Sequence, residues 1–80
     1  MVKNDSTIFY LLAIEKLSKG KKIRNKDLVD FLNIAPSSVT ERLYNLENDQ
    51  VIYRNKKYIF ISDKGKRMIE DFQNKYIKVE

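Results

Sequence analysis

The chain contains no cysteine and no histidine, and among its 80 residues only two are glycine and one is proline. The missing cysteine and histidine exclude disulfide bonds, thiol chemistry, imidazole acid–base catalysis and the usual zinc ligand sets. With so few glycines the sequence has no glycine-rich loop that could bind a phosphate. It also shows no pair of carboxylates spaced to meet at one site. We therefore expect a protein that is not an enzyme and that holds no cofactor and no metal.

Long hydrophobic runs are also missing. No apolar run approaches the roughly 18 residues of a membrane span, and the N-terminus lacks the basic region, apolar run and cleavage site of a secretory signal. With 42% hydrophobic and 34% charged residues, the composition is that of a globular chain. We expect one domain, residues 1–80, in the cytoplasm.

The charge of the chain is unevenly distributed. Lysine and arginine number 16 against 11 acidic residues, which gives a net charge of +5. Residues 16–26 contain six basic residues and no acid, and residues 54–67 contain six more against Asp63. The intervening segment has five acids against Arg42, a net charge of −4. This balance favours a polyanionic partner, with a merely solvated surface as the alternative.

Apolar spacing and capping residues predict two helices in the first half of the chain. The first covers residues 7–19, with Ser6 as its N-cap and Gly20 closing it. The second is short and covers residues 26–32, with Asn25 as its N-cap. The first helix is apolar almost all the way round, so we expect it to meet both the core and another subunit.

The second half of the chain has the pattern of a helix, a hairpin and a last helix. A helix over residues 36–48 begins with the single proline, where proline is best tolerated. Two β-rich runs, 51–54 and 58–61, flank a short polar turn, and Ser62 caps a helix to about residue 76. The order predicts a mainly α fold with a small β-hairpin. Specifically, it predicts a winged helix-turn-helix with a three-helix core, a two-stranded wing and a C-terminal helix.

Three segments resemble one family of regulators. Residues 34–40 (IAPSSVT), with Leu43 and Leu46 after them, are similar to the helix-turn-helix of the diphtheria toxin repressor family, the iron- and manganese-dependent regulators. Residues 10–14 (YLLAI) resemble its first-helix pattern of tyrosine, an aliphatic, two variable residues and isoleucine. Residues 61–66 (ISDKGK) resemble its junction after the wing, which the multiple-antibiotic-resistance regulators share more distantly. The resemblance implies a DNA-binding domain over nearly the whole chain.

The chain departs from that family at the metal site. The family's ligands on the first helix correspond here to Phe9 and Leu12, which offer no ligand atom, and its histidine after the wing falls near Tyr76. The chain stops at Glu80, before the family's dimerisation and metal-binding domain. We therefore expect no metal sensing, and either a stand-alone winged-helix regulator or one domain whose sensing part lies elsewhere.

The fold predicts that helix 36–48 enters the major groove and that wing 51–61 lies on the adjacent backbone or minor groove. The outward polar residues of the helix are the candidate base contacts: Ser37, Ser38, Thr40, Glu41, Tyr44 and Asn45. The flanking cations are the candidate backbone contacts: Lys22, Arg24, Arg54, Lys56, Lys57 and Lys64. Each has a structural alternative, since hydroxyls near a helix start often act as caps, and Glu41 can pair with Arg42 or Lys26.

The sequence thus predicts a double-stranded DNA-binding transcriptional regulator, a repressor as the commoner outcome, associated with the nucleoid when bound. Because one winged helix makes few contacts, we expect a homodimer joined through its first and last helices. Its predicted interface residues are Ile8, Leu11, Leu12 and Tyr76. The alternative is a winged-helix module for protein docking or dimerisation that does not bind DNA.

Overall fold

A computed structural model describes residues 3–77 of the chain and the side chains of residues 7–75. The described elements, in chain order, are α1 (Lys3–Leu17), α2 (Asn25–Leu32), α3 (Pro36–Asn48), β1 (Ile52–Asn55), β2 (Tyr58–Ile61), α4 (Asp63–Phe72) and a π-helical turn (Gln73–Ile77). The two strands pair antiparallel as a wing between α3 and α4. The chain is a winged helix-turn-helix, mainly α with a small β-hairpin, as predicted.

The core lies where the first three helices meet the inner face of the wing. Its fully buried side chains include Leu11 of α1, Leu28 of α2 and Ile59 of β2. On α3 the buried side chains are Val39, Leu43 and Leu46, which recur at i, i+4 and i+7 as one stripe. Helix α3 therefore buries one face and leaves its other faces exposed.

Helix α1 begins earlier than the sequence indicated. It starts at Lys3 rather than at residue 7, so Ser6 lies inside the helix and its predicted role as N-cap is wrong. No glycine or proline stands before Ser6 to stop the helix from extending. At the other end α1 stops at Leu17, and Gly20 adopts a φ of +81° in the turn that follows.

Helix α2 is capped by the side chain of Asp27, which contacts the Arg24 backbone, and not by Asn25. Arg24 occupies the N-cap position, and its backbone N–H donates to a carboxylate oxygen of Asp27 at 2.9 Å. Asn25 is the first residue of the helix, so the predicted cap was wrong by one position. The helix ends at Leu32, and Asn33, which follows as the C-cap, adopts the left-handed conformation that asparagine tolerates well. This start leaves the Asn25 side chain available to other elements.

Helix α4 begins at a tight junction with the end of α3. The Ser62 hydroxyl accepts from the Gly65 N–H at 3.1 Å and donates to the Gln50 carbonyl at 2.6 Å, which confirms it as the cap. Gly65 packs directly on the backbone of Val51. A Cβ there would collide with the Val51 carbonyl oxygen and would lie 2.8 Å from Ile61 Cγ2. The close approach therefore requires glycine.

The wing turns over two residues, Lys56 and Lys57, one fewer than the sequence indicated, because β1 extends to Asn55. Lys56 has a φ of +62°, a conformation that favours glycine. The turn therefore holds the backbone of both lysines at the tip of the wing.

A third segment adds to the wing. The Ile59 N–H donates to the Ile23 carbonyl at 2.9 Å, which makes an isolated antiparallel bridge that the sequence did not indicate. Ile23 is fully buried. The bridge holds the loop between α1 and α2, with its cations Lys22 and Arg24, alongside the wing.

Candidate nucleic-acid interface

The outward face of α3 carries the six predicted base-contact residues, and all six are exposed: Ser37, Ser38, Thr40, Glu41, Tyr44 and Asn45. Tyr44 has 64% of its surface exposed. Ala35 is the N-cap of α3 and makes no side-chain capping bond. Within the described part of the chain the hydroxyls of Ser37 and Ser38 make no hydrogen bond. The alternative that these hydroxyls cap α3 is therefore wrong, and both hydroxyls are available to a partner.

The charged residues of α3 are mostly acidic. Arg42 is half-buried, with its guanidinium carbon 5.9 Å from the centre of the Tyr10 ring, so it packs against α1. Lys26 pairs with Asp30 at 3.3 Å rather than with Glu41. Among the described residues, Glu41 therefore forms no ion pair. It stands as an exposed acceptor on the outward face.

Cations gather between the start of α2 and the wing. A cleft of about 370 Å³, called here the basic cleft, is lined by Arg24, Asn25, Lys26, Arg54 and Lys57. Next to the cleft, Lys56 lies at the tip of the wing, and the Lys22 ammonium lies 5.4 Å from the centre of the Tyr58 ring. The Ile23–Ile59 bridge brings these two basic segments of the sequence together.

Three hydrogen-bonding side chains connect the basic cleft to α3. The Arg54 guanidinium donates from Nη2 to Asn25 Oδ1 at 2.9 Å, and Asn25 Nδ2 donates to Thr40 Oγ1 at 3.4 Å. We call this chain of contacts the polar bridge. Arg54 Nε also lies 3.6 Å from Glu47 Oε1. Arg54, predicted as a backbone contact, is thus engaged within the chain, and its side chain is 26% exposed.

Lys64 is also engaged within the chain. Its ammonium donates to the Asp49 carbonyl at 2.9 Å, where it stabilises the C-terminal end of α3. A helix of 13 residues is about 20 Å long. The structure therefore places Lys64 at the opposite end of α3 from Ser37 and Ser38. Lys64 is not among the residues that line the basic cleft.

The predicted dimer residues lie largely in the core of one chain. Leu11 is fully buried and Ile8 is 9% exposed, and Leu12 is half-buried against the core. The side chain of Tyr76 lies outside the described residues. Leu11 therefore has no surface to offer a second copy, and its assignment to an interface was wrong. Phe9 of α1, which was not among the predicted interface residues, has 54% of its surface exposed.

Sequence reasoning also missed two residues of the basic cleft. Lys26 belongs to the basic segment 16–26, and that charge run was the signal that could have included it. Asn25 was interpreted as a helix cap, although its side chain joins the wing to α3. No local pattern distinguishes these two roles, since asparagine at a helix start commonly acts as a cap.

No protein-family model, curated protein or solved structure matches the chain. Among the described side chains, residues 7–75, no group of acidic residues is placed to hold a metal ion. None of the helices described has the length and apolar character needed to cross a membrane. The function is therefore inferred from the geometry of the site.

Proposed function

We propose that the chain is a double-stranded DNA-binding transcriptional regulator, and that repression is its outcome. Helix α3 would enter the major groove, and the wing would lie on the adjacent backbone or minor groove. One observation carries this proposal: the Asn25–Thr40 hydrogen bond makes the outward face of α3 and the basic cleft one continuous surface. A duplex presents base edges beside phosphates, so it fits a surface with neutral polar groups beside cations.

The two parts of this surface have different tasks in the proposal. Ser37, Ser38, Thr40 and Asn45 supply short polar groups that can read base edges, and Glu41 can accept from a cytosine amino group. The exposed cations bind phosphates, which positions the protein without reading sequence: Lys22, Arg24, Lys56 and Lys57. Because the acidic side chain of Glu41 repels nearby phosphates, the affinity depends mainly on the cations of the wing and the basic cleft.

We further propose that two copies bind one operator. A single α3 offers few base contacts, and regulators of this fold commonly bind two half-sites about one helical turn apart. On the described side chains of α1 the apolar surface is mainly that of Phe9, with smaller shares from Leu12 and Leu17. The proposal therefore replaces Leu11 with Phe9 at the centre of the pairing surface.

A second candidate function is protein docking, and the charges of α3 favour it. The exposed charged residues of α3 are Glu41 and Glu47, and Arg42 is turned onto Tyr10. Tyr44 is 64% exposed beside them, and tyrosine is enriched at the energetic centres of protein interfaces. An acidic helix with an exposed tyrosine would suit a basic protein partner.

Selection of bound sequences from a pool of randomised duplexes tests the DNA-binding proposal. We expect a preferred sequence, for which Asn45→Ala loses discrimination at one position by about 1–3 kcal/mol. Lys57→Met should weaken binding to all sequences equally. Asn48→Ala is the matched control, because Asn48 is exposed at the far end of the same helix. If nothing is enriched and no duplex binds at low salt, the protein-docking function is favoured instead.

A further inference from the structure

We propose that Asn25 and Arg54 form a positioning pair, which fixes the wing relative to α3, and that Arg54 is not itself a phosphate contact. This inference rests on the proposed DNA-binding function. Asn25 and Arg54 would set the geometry of the DNA-binding surface, and other residues would touch the DNA.

Arg54 joins the wing to both helices of the helix-turn-helix. Its Nη2 donates to Asn25 Oδ1 of α2 at 2.9 Å, and its Nε lies 3.6 Å from Glu47 Oε1 of α3. A guanidinium is planar and has five N–H donors in a fixed arrangement, so it can hold two partners in one geometry. Strand β1 is thereby tied to α2 and α3 by one side chain.

Asn25 extends this connection to a candidate base contact. Its side-chain amide uses both ends, since Oδ1 accepts from Arg54 and Nδ2 donates to Thr40 Oγ1 at 3.4 Å. An amide bonded at both ends cannot rotate without losing a hydrogen bond. A displacement of the wing would therefore change the orientation of Asn25 and of the Thr40 hydroxyl together.

The surroundings of Arg54 argue against a direct phosphate contact. Glu47 offsets the charge of Arg54, and the Arg54 side chain is only 26% exposed. Moving Arg54 onto a phosphate would break both contacts and leave the Glu47 carboxylate near the phosphate. Lys56 and Lys57 are exposed and, within the described part of the chain, make no hydrogen bond or ion pair. These lysines, not Arg54, are placed to neutralise phosphates.

The dependence of duplex affinity on salt separates the two roles. We expect Arg54→Met to weaken binding about tenfold, because it disrupts the polar bridge. The dependence of its affinity on salt should keep the slope of the wild type. Lys57→Met, the matched control from the same cleft, should make the slope shallower by about 0.9. Arg54→Lys should resemble Arg54→Met, because one ammonium lacks the planar donor geometry that holds both partners. A slope reduced by about 0.9 in Arg54→Met, with affinity restored in Arg54→Lys, would overturn the inference.

A double-mutant cycle and an NMR spectrum of the backbone amides complete the test. Asn25→Ala should weaken binding, and Arg54→Met should weaken it at least as much because it also loses the Glu47 contact. The double variant should bind no more weakly than Arg54→Met alone. Without DNA, the Thr40 amide resonance should shift in Arg54→Met and stay in place in Lys57→Met, with dispersed spectra showing that both variants fold. Additive losses, or an unmoved Thr40 resonance, would overturn the pairing. If the wild type binds no duplex, the proposed function itself is refuted. The Thr40 resonance then still reports whether the polar bridge exists.

Discussion

A lysine occupies a left-handed backbone conformation at the tip of the wing. Lys56 has a φ of +62°, which costs a non-glycine residue about 1 kcal/mol or more. We therefore expect Lys56→Gly to raise the free energy of unfolding by up to about 1 kcal/mol, measured by urea denaturation. The same substitution removes a cation, so duplex affinity should fall while the fold becomes more stable.

Lys57→Gly is the control for this substitution. Lys57 is not among the residues with positive φ, so glycine there should cost stability through its larger loss of backbone entropy, by roughly 0.5–1 kcal/mol. Both variants lose one positive charge at the same turn. Equal destabilisation in the two variants would contradict the turn geometry described for the wing.

Gly65 is fixed by the backbone that it contacts. A methyl group there would collide with the Val51 carbonyl oxygen and press on Ile61 at 2.8 Å. Gly65→Ala should therefore lower the free energy of unfolding by about 1–3 kcal/mol in urea denaturation. Lys66→Ala, at the exposed next position of the same helix, should change it little. Equal stability of the two variants would show that α4 can move away from Val51 at no cost.

Individual side chains account for most of what the sequence could not predict about the site. The outward residues of α3 follow from helical spacing alone and are where the sequence places them. Arg54 and Lys64, by contrast, count as free cations in a sequence, yet their hydrogen-bond partners lie 29 and 15 residues away. Nothing local to either residue indicates those contacts, because they depend on how the wing and α4 dock on the helices.

Helices α3 and α4 differ in how their first turns are capped. Ser62 caps α4 by accepting a hydrogen bond from the Gly65 N–H, whereas Ala35, the N-cap of α3, makes no side-chain capping bond. Ser62→Ala should lower the free energy of unfolding by about 1 kcal/mol, and Ser37→Ala should leave it nearly unchanged. Chemical denaturation of both variants measures this. A comparable loss in Ser37→Ala would mean that this hydroxyl does cap α3 and is not available to a partner.

Element boundaries were predictable where local sequence decides them. The bounds 36–48 of α3 follow from the proline at its start and from one apolar stripe, and they agree with the structure. The start of α1 and the cap of α2 were misjudged because a nearby capping residue is not always used. The Ile23–Ile59 bridge was invisible to sequence patterns, since a single residue has no periodicity and its partner lies in a distant strand.

The distribution of charge is a property of the whole molecule. Residues 16–26 and 54–67 carry most of the basic excess, and the Ile23–Ile59 hydrogen bond holds the two segments side by side. The basic cleft forms where they meet at the start of α2. The cations that line the cleft, Arg24, Lys26, Arg54 and Lys57, are thereby gathered beside α3, where they would raise the rate and affinity of binding to a polyanion.

The proposed pairing of two copies is tested by the mass in solution. Light scattering at micromolar concentration should give twice the mass of one chain, because Phe9 leaves an apolar surface for a partner. Phe9→Ser should return the mass to that of one chain, whereas Phe31→Ser, an exposed aromatic on α2, should not. A single-chain mass for the wild type would contradict the pairing and leave the DNA-binding proposal standing.

Fluorescence anisotropy with labelled duplex DNA over a range of salt concentrations tests the proposed function most directly. The wild type should bind, and its affinity should fall steeply as salt rises. The logarithm of the binding constant should fall against the logarithm of the salt concentration with a slope of about 0.9 for each neutralised phosphate. The Lys56→Gly/Lys57→Met double variant should remain folded and bind with a slope shallower by about 1.8. No binding at low salt, or an identical slope in the double variant, would contradict the wing as a DNA contact.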